Sequence, residues 1–323
     1  MNAGEIFRAM LAFACLGFAA ASHAQDYPNR PVKLLVGYVP GGGPDMVARA
    51  LAQKLTEILG QPFVVENKPG AGGTLATGVA AKSAADGYTL LVGETGQLVI
   101  APNIYKNISY KTLKDFVPVA LVSSEPLLLV SSNKSGIKTL QDLVQQAKAQ
   151  PGIISYGSSG IGTIHHMAGE VLKSGFGLDL MHVPYKGSGQ SVPAILSGDV
   201  PILVSSFAGA GSHIRAGTLN LLAVTTAGRL PSMPNVPAVS EMIKGYEFPS
   251  EVGILAPAGL PSAVLNKLSA AIKLACDSPD FAAKFKETST IVTYKTPAEY
   301  TQNLKTNLKK YADAAKLAGI SPE

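Results

Sequence analysis

Two stretches of this chain set glycine beside proline or small hydroxyl residues where a strand would turn into a helix, and the chemistry such stretches support is anion capture. The first is Val39-Pro40-Gly41-Gly42-Gly43-Pro44, and the second is Gly157-Ser158-Ser159-Gly160-Ile161-Gly162-Thr163. Loops of this kind bring backbone N–H groups and the positive end of a helix to one point, so an anion is held without a fixed cation. Glycine lets the backbone approach closely, and Pro44 suits the start of a helix while lacking an N–H to donate. Each loop follows a strand, and that edge is where open α/β sheets bind ligands. Facing each other across a hinge, the two would grip an anion from both sides.

Enzyme signatures fail at the same loops. The dinucleotide fingerprint breaks at its sixth position in both Gly41-Gly42-Gly43-Pro44-Asp45-Met46 and Gly70-Ala71-Gly72-Gly73-Thr74-Leu75, and neither ends in the Gly-Lys-Ser/Thr of a phosphate-cradling loop. The serine nucleophile elbow comes nearest at Gly157 to Ile161, where the last glycine is missing. His165 and His166 are adjacent, so on a helix they point about 100° apart and cannot both turn to one metal ion. At most one of them faces a cleft. His165 is the candidate ligand contact, with a surface or packing role as the alternative for either. His182, in a strand, reads as core or cleft lining. No catalytic residue, metal or cofactor is expected, and the rival class, an exported α/β hydrolase, needs a nucleophile with a His and an acid in reach that the sequence does not display.

The elements that would position these loops follow a regular pattern. Val32 to Val36 reads as a strand, and a helix follows in which Met46, Val47, Ala50, Leu51, Leu55, Ile58 and Leu59 recur at three- and four-residue spacing before Gly60. Strands at 63–65 and 88–92 with a helix between them complete βαβαβ, the pattern of a parallel sheet. A second α/β unit begins after Ser123-Ser124-Glu125-Pro126, with helices at 140–149, from 163 and at 190–196, and strands at 153–156, 181–183, 201–204 and 221–224. The return crossing is expected in Phe248-Pro249-Ser250-Glu251, and helices from Ser262 and Pro297 are expected to pack back on the first unit.

Ahead of these units, Arg8, the apolar run Met10 to Ala21 and Ser22-His23-Ala24 form a secretory signal with cleavage after Ala24, and Phe13 spoils the alternative of an acylated Cys15. The apolar run is shorter than the roughly 18 residues a membrane anchor needs. Cleavage leaves Cys276 as the single cysteine, so a hydrophobic core rather than a disulfide must hold the fold. The net charge of +5 is dispersed along 323 residues, without the basic blocks of a nucleic-acid binder.

Seven segments occur together in the order typical of one family: Tyr27-Pro28-Asn29-Arg30-Pro31, Pro40 to Asp45, Val65 to Gly73, Asp86 to Leu91, Leu113 to Phe116, Val183 to Gly187 and Leu255 to Gly259. In these the chain resembles the receptors of tripartite tricarboxylate transporters, also called Bug or TctC-like solute-binding proteins. The resemblance implies a type II periplasmic-binding-protein fold: two α/β domains, 25–124 with 250–323 and 125–249, joined by a two-segment hinge around a ligand cleft. It implies a periplasmic, monomeric receptor that passes a small carboxylate to a membrane permease, or reports it to a membrane sensor. By position, the implied ligand contacts are Tyr38, Pro40, Gly42, Gly43 and Asp45, then Thr95, Gly96 and Gln97, in the first domain. In the second they are Ser158, Ser159, Gly160, Gly162, Thr163, Tyr185, Ser205, Ser206 and Phe207. Pro44 replaces the family's usual Thr or Ser, and Ser206 stands where many members carry an acid or amide. A buried ammonium needs an acidic partner. Val204 to Ala208 offers none, and Asp45 and Glu94 are the only acids in the first domain's candidate loops. A carboxylate without an amino group is therefore expected, either a dicarboxylate or an aromatic acid stacked on Phe207 or Tyr185.

Overall fold

The computed structural model describes residues 27–285, 289–320 and 322, so the signal segment 1–24, Cys15 and the Gln25 start lie outside the described residues. Strands β1 (Val32–Val36), β2 (Phe63–Asn67) and β3 (Thr89–Glu94) pair in parallel with β1 in the middle. A strand covered on both faces needs a nearly continuous apolar run, which Leu34, Leu35 and Val36 supply, all of them buried. Helix Gly43–Leu59 lays Val47, Leu51 and Leu55 against this sheet, and Gly60 ends it in the left-handed conformation (φ 71°) that glycine adopts without strain.

Two antiparallel strands extend the first sheet, β4 (Phe116–Glu125) and, inserted between β4 and β3, β10 (Ser250–Pro257). With β11 (Ile291–Lys295) at the edge, the order is β11-β4-β10-β3-β1-β2. The second sheet holds β5 (Leu127–Ser132), β6 (Ser155–Ser158), β7 (Met181–Pro184), β8 (Ile202–Ser206) and β9 (Leu219–Val224) in the order β7-β6-β8-β5-β9. Only Pro126 separates β4 from β5, so the chain changes sheets in one step; it returns through 225–249. The two crossings are stitched together: Thr225 N–H donates to the Leu127 carbonyl, Leu127 N–H donates to Thr225 Oγ1, and that hydroxyl donates to the Phe248 carbonyl.

Three local differences from the sequence reading have physical causes. Residues 250–257 form a central strand as well as a crossing, because Val252, Ile254, Leu255 and Ala256 are buried there. Thr95-Gly96-Gln97 is not a loop: Gly96–Ile100 is a π-helical turn running into helix Ala101–Ile104, which buries the apolar run Leu98-Val99-Ile100. Helix Pro297–Leu317 does not pack on the first sheet alone. It lies against β4 and also against helix Ile164–Phe176 of the second unit, with Tyr311 packed edge-on against Phe248. Among the described residues no helix is long and apolar enough to cross a membrane.

Candidate functional site

Between the sheets lies a cavity of about 270 Å³. Its floor is the end of the first sheet: Glu94 closes β3, Glu125 closes β4, and Ser250 opens β10, which runs between them. Ser250 pairs with Glu125 in the sheet register, and its hydroxyl donates to Glu94 Oε1 at 2.9 Å. Two carboxylates therefore flank one strand end, and both line the cavity.

The two acids are held differently. Glu94 accepts from Tyr38 Oη at 2.7 Å and from Gly96 N–H at 2.8 Å as well as from Ser250, so both its oxygens are occupied. Burial still lifts its carboxyl above the usual range, although these donors oppose the rise. Glu125 faces the backbone N–H groups of Phe207 and Ala208, at the start of helix Phe207–Arg215, and one of its oxygens, Oε1, is shut off from solvent with no partner. Burial pushes its carboxyl up to about 7, with the charge of Glu94 adding to the rise and the two amides opposing it.

The opposite wall is the second glycine-rich loop. Thr163 caps helix Ile164–Phe176, accepting from His166 N–H at 3.3 Å and donating to the Gly160 carbonyl at 2.8 Å. Gly162 is left-handed (φ 74°), and a Cβ built on it would stand 2.5 Å from Ile104 Cδ1, so the loop rests directly on the first unit. Its N–H donates to His166 Nδ1 at 3.2 Å. His165 lines the cavity with both ring nitrogens buried and unpartnered, and burial lowers its pKa to about 4. Among the described residues, no lysine or arginine lines the cavity.

Of the residues expected at the site, Tyr38, Gly96, Ser159, Gly162, Thr163, His165 and Ser206 line this cavity. The first glycine loop does not. Pro40 is exposed, Gly42 and Gly43 lie outside the lining, and Asp45 is consumed locally: it accepts from Gly41 N–H at 2.8 Å, Arg49 Nε at 2.9 Å and Asn67 Nδ2 at 2.8 Å. Burial pushes the Asp45 carboxyl up, but those three donors win and hold it below its ordinary value. Thr95 accepts from Glu251 N–H, and Gln97 is buried with its amide on the Val92 carbonyl. Ser158 and Gly160 bond to each other behind the loop, Ser205 is buried, and Tyr185 packs beside Gly157. The Phe207 ring is in the core of the second unit rather than in the cavity, so the stacking role expected for Phe207 or Tyr185 is corrected. Corrected too is the premise that the cleft lacks an acid: Glu94 points inward, and Glu125, which the sequence reading treated only as part of a crossing, joins it. The one signal for Glu125 in the sequence is a charged residue two serines after the apolar run Val117 to Val122 and directly before Pro126.

A serine and a histidine do meet: Ser158 Oγ and His182 Nε2 are 2.7 Å apart. This pair does not make a hydrolase site. Ser158 is fully buried and outside the cavity lining, while the His182 ring stacks on His166 at 3.9 Å and on Tyr156 at 4.9 Å. A larger groove, about 590 Å³, runs along helix Pro297–Leu317 beside Lys244 and Phe248, away from the strand ends that position ligands in such sheets.

Residues 47–319 match the tripartite tricarboxylate transporter family receptor. The chain belongs to this family. Protein BugT of Bordetella pertussis is 34% identical over 310 residues, covering 95% of this chain and 94% of its own. Rpa4515 of R. palustris, solved with adipate, superposes with a TM-score of 0.81 at 31% identity over 92% of this chain and 100% of its own. Periplasmic binding protein BugD superposes at 0.77 with 31% identity, over 92% of this chain and 100% of its own. MatC of Rhodopseudomonas palustris, with bound malate, superposes at 0.75 with 28% identity, over 89% and 99%. Two α/β domains around a cleft are the architecture of these periplasmic binding proteins, and the family is one of solute receptors rather than enzymes.

Proposed function

We propose that this protein is an exported periplasmic receptor that closes on a small carboxylate in the cavity between its two sheets, hands it to a tripartite-type membrane permease, and has no catalytic activity of its own. The observation that carries the reading is the loop 159–163, with its left-handed Gly162 and the start of helix Ile164–Phe176, lining a cavity opposite the strand ends of the first sheet. A helix start offers N–H groups that no residue within the helix accepts, which suits one carboxylate. The adipate and malate held by two related receptors support that ligand class. In this reading residues 25–124 and 250–323 form one jaw and 125–249 the other, and the stitched crossings at Leu127, Thr225 and Phe248 form the hinge. The sequence argument for an amino-free ligand loses its basis once Glu94 and Glu125 face the cavity. Thermal denaturation of the mature protein with a panel of small mono- and dicarboxylates tests the function, since a ligand at 100 times its dissociation constant stabilises by about 2.7 kcal/mol. A panel that leaves the melting temperature unmoved throughout overturns it.

A further inference from the structure

We propose that Glu125, backed by Glu94, is the specificity determinant of this receptor and accepts an ammonium or similar N–H cation of the ligand, whose single carboxylate sits on the loop 159–163. This rests on the receptor reading and narrows it to amino-carboxylates.

Four observations lead here. First, among the described residues the cavity is lined by two carboxylates and no lysine or arginine. An entering cation meets acceptors there and no lysine or arginine to compete with it. Second, the acids are not equivalent. The three donors on Glu94 fill its oxygens, whereas Glu125 leaves Oε1 buried and unpartnered, and a buried acceptor without a donor costs free energy until one arrives. An N–H cation supplies that donor and the compensating charge together. Third, His165 lines the same cavity with both ring nitrogens buried and unpartnered. Kept neutral by burial, it offers one N–H and one lone pair, so the ligand must accept as well as donate. Fourth, Glu125 Oε2 lies 3.5 Å from the Cβ position of Gly43 and its carboxylate faces the amides of Phe207 and Ala208. The carboxylate thus sits at a helix start of the second unit, with Oε1 left as the acceptor open to a ligand.

The test is calorimetric titration of the mature protein with matched pairs that differ in one group: adipate against 6-aminohexanoate, glutarate against 4-aminobutyrate, and glutarate against glutamate. At least one amino member is expected to bind more than about tenfold tighter than its dicarboxylate partner, and Glu125→Gln is expected to remove that preference. Because the comparison within the wild-type protein needs no variant, a misfolded Glu125→Gln does not block the test. Tighter binding of every dicarboxylate in the wild type overturns the inference and leaves the receptor reading standing. An amino preference that survives Glu125→Gln in a folded variant removes the assignment to Glu125. Binding of neither series overturns the inference and the receptor reading together.

Discussion

The two glycine-rich loops look alike in sequence and end up doing different things. The second, 157–163, lines the cavity and rests on Ile104 of the other unit. The first, 39–44, stands outside the lining, and its Gly41 N–H is taken by Asp45, four residues on. An anion-binding loop works only while its donors are unclaimed, and a carboxylate in the first turn of the following helix claims them. Asp45 does so for the Gly41 amide and is itself held by Arg49 and Asn67. At the second loop no acid follows: Ile164, His165 and His166 open the helix, and the amides of Gly160, Gly162 and Thr163 go to Ser158 Oγ, His166 Nδ1 and the Gly160 carbonyl, so its remaining donors are those at the helix start.

The largest effect that tests this comparison belongs to Gly162→Val. A β-branched residue is strained at φ 74°, and its Cβ meets Ile104 within 2.5 Å, so the loop must withdraw from the cavity wall. Ligand affinity is expected to fall by about 100-fold or more in a variant that keeps its circular dichroism spectrum. A folded Gly162→Val that binds within a few-fold of wild type would remove the second loop from the site.

Much of the frame was readable from residue order. The parallel β1–β3 unit follows from unbroken Val and Leu runs separated by an amphipathic helix, and helix Leu140–Ala149 was delimited correctly from its apolar spacing. The cavity was less legible, because loops at strand ends carry no periodicity to show which way a side chain points. Gln97 illustrates this: polar and next to glycine, it reads as a contact, yet its amide turns inward to Val92. Phe207 fails in the opposite sense, since a helix starting at that residue carries its ring into the core. Glu125 was hidden by its position, at a crossing whose two sheets meet only in three dimensions.

Glu125 also marks a contrast in electrostatics with Asp45, since one carboxyl is raised and the other lowered. A raised folded-state value means the folded protein binds the proton more tightly than the unfolded chain. The stabilising contribution is then complete below the unfolded value near 4.5 and is lost as pH rises through about 7. Glu125→Gln, which cannot ionise, is therefore expected to be more stable than wild type at pH 8 by about 3 kcal/mol, a gain that vanishes below about pH 4. His165 and His182, both held near 4, destabilise the protein as pH falls below their unfolded value and act in both proteins alike, so the difference between the two melting curves isolates Glu125. Equal melting temperatures at pH 8 would show that Glu125 is not under strain.

A smaller effect is expected behind the second loop. The sequence reading leaves His166 a surface or packing role, but its Nδ1 accepts the Gly162 amide and its ring stacks on His182. His166→Ala removes that acceptor and is expected to weaken ligand binding about tenfold, with Asn, which can restore an acceptor, recovering part of the loss. Unchanged affinity in His166→Ala would mean that the loop holds its shape without support from the helix.

The smallest effect is expected where sequence similarity alone would predict the largest. If both glycine loops gripped the ligand, Gly42→Val would be as damaging as Gly162→Val. Gly42 has φ −76° and ψ 165°, an extended conformation that valine adopts readily, and the nearest atom to an added Cβ is the Val39 carbonyl oxygen at 3.6 Å. It uses no side chain to cap helix Gly43–Leu59, so replacing it removes no hydrogen bond. A poorer residue at the helix start costs stability by less than about 1 kcal/mol. The ligand is not reached from this side, since Gly42 does not line the cavity. Affinity within about twofold of wild type is expected for Gly42→Val, measured by the same titration as Gly162→Val. A folded Gly42→Val that loses binding tenfold or more would restore the two-loop grip and require the jaws to close further on the ligand, bringing residues 40–43 into the site and displacing Asp45 from the Gly41 amide.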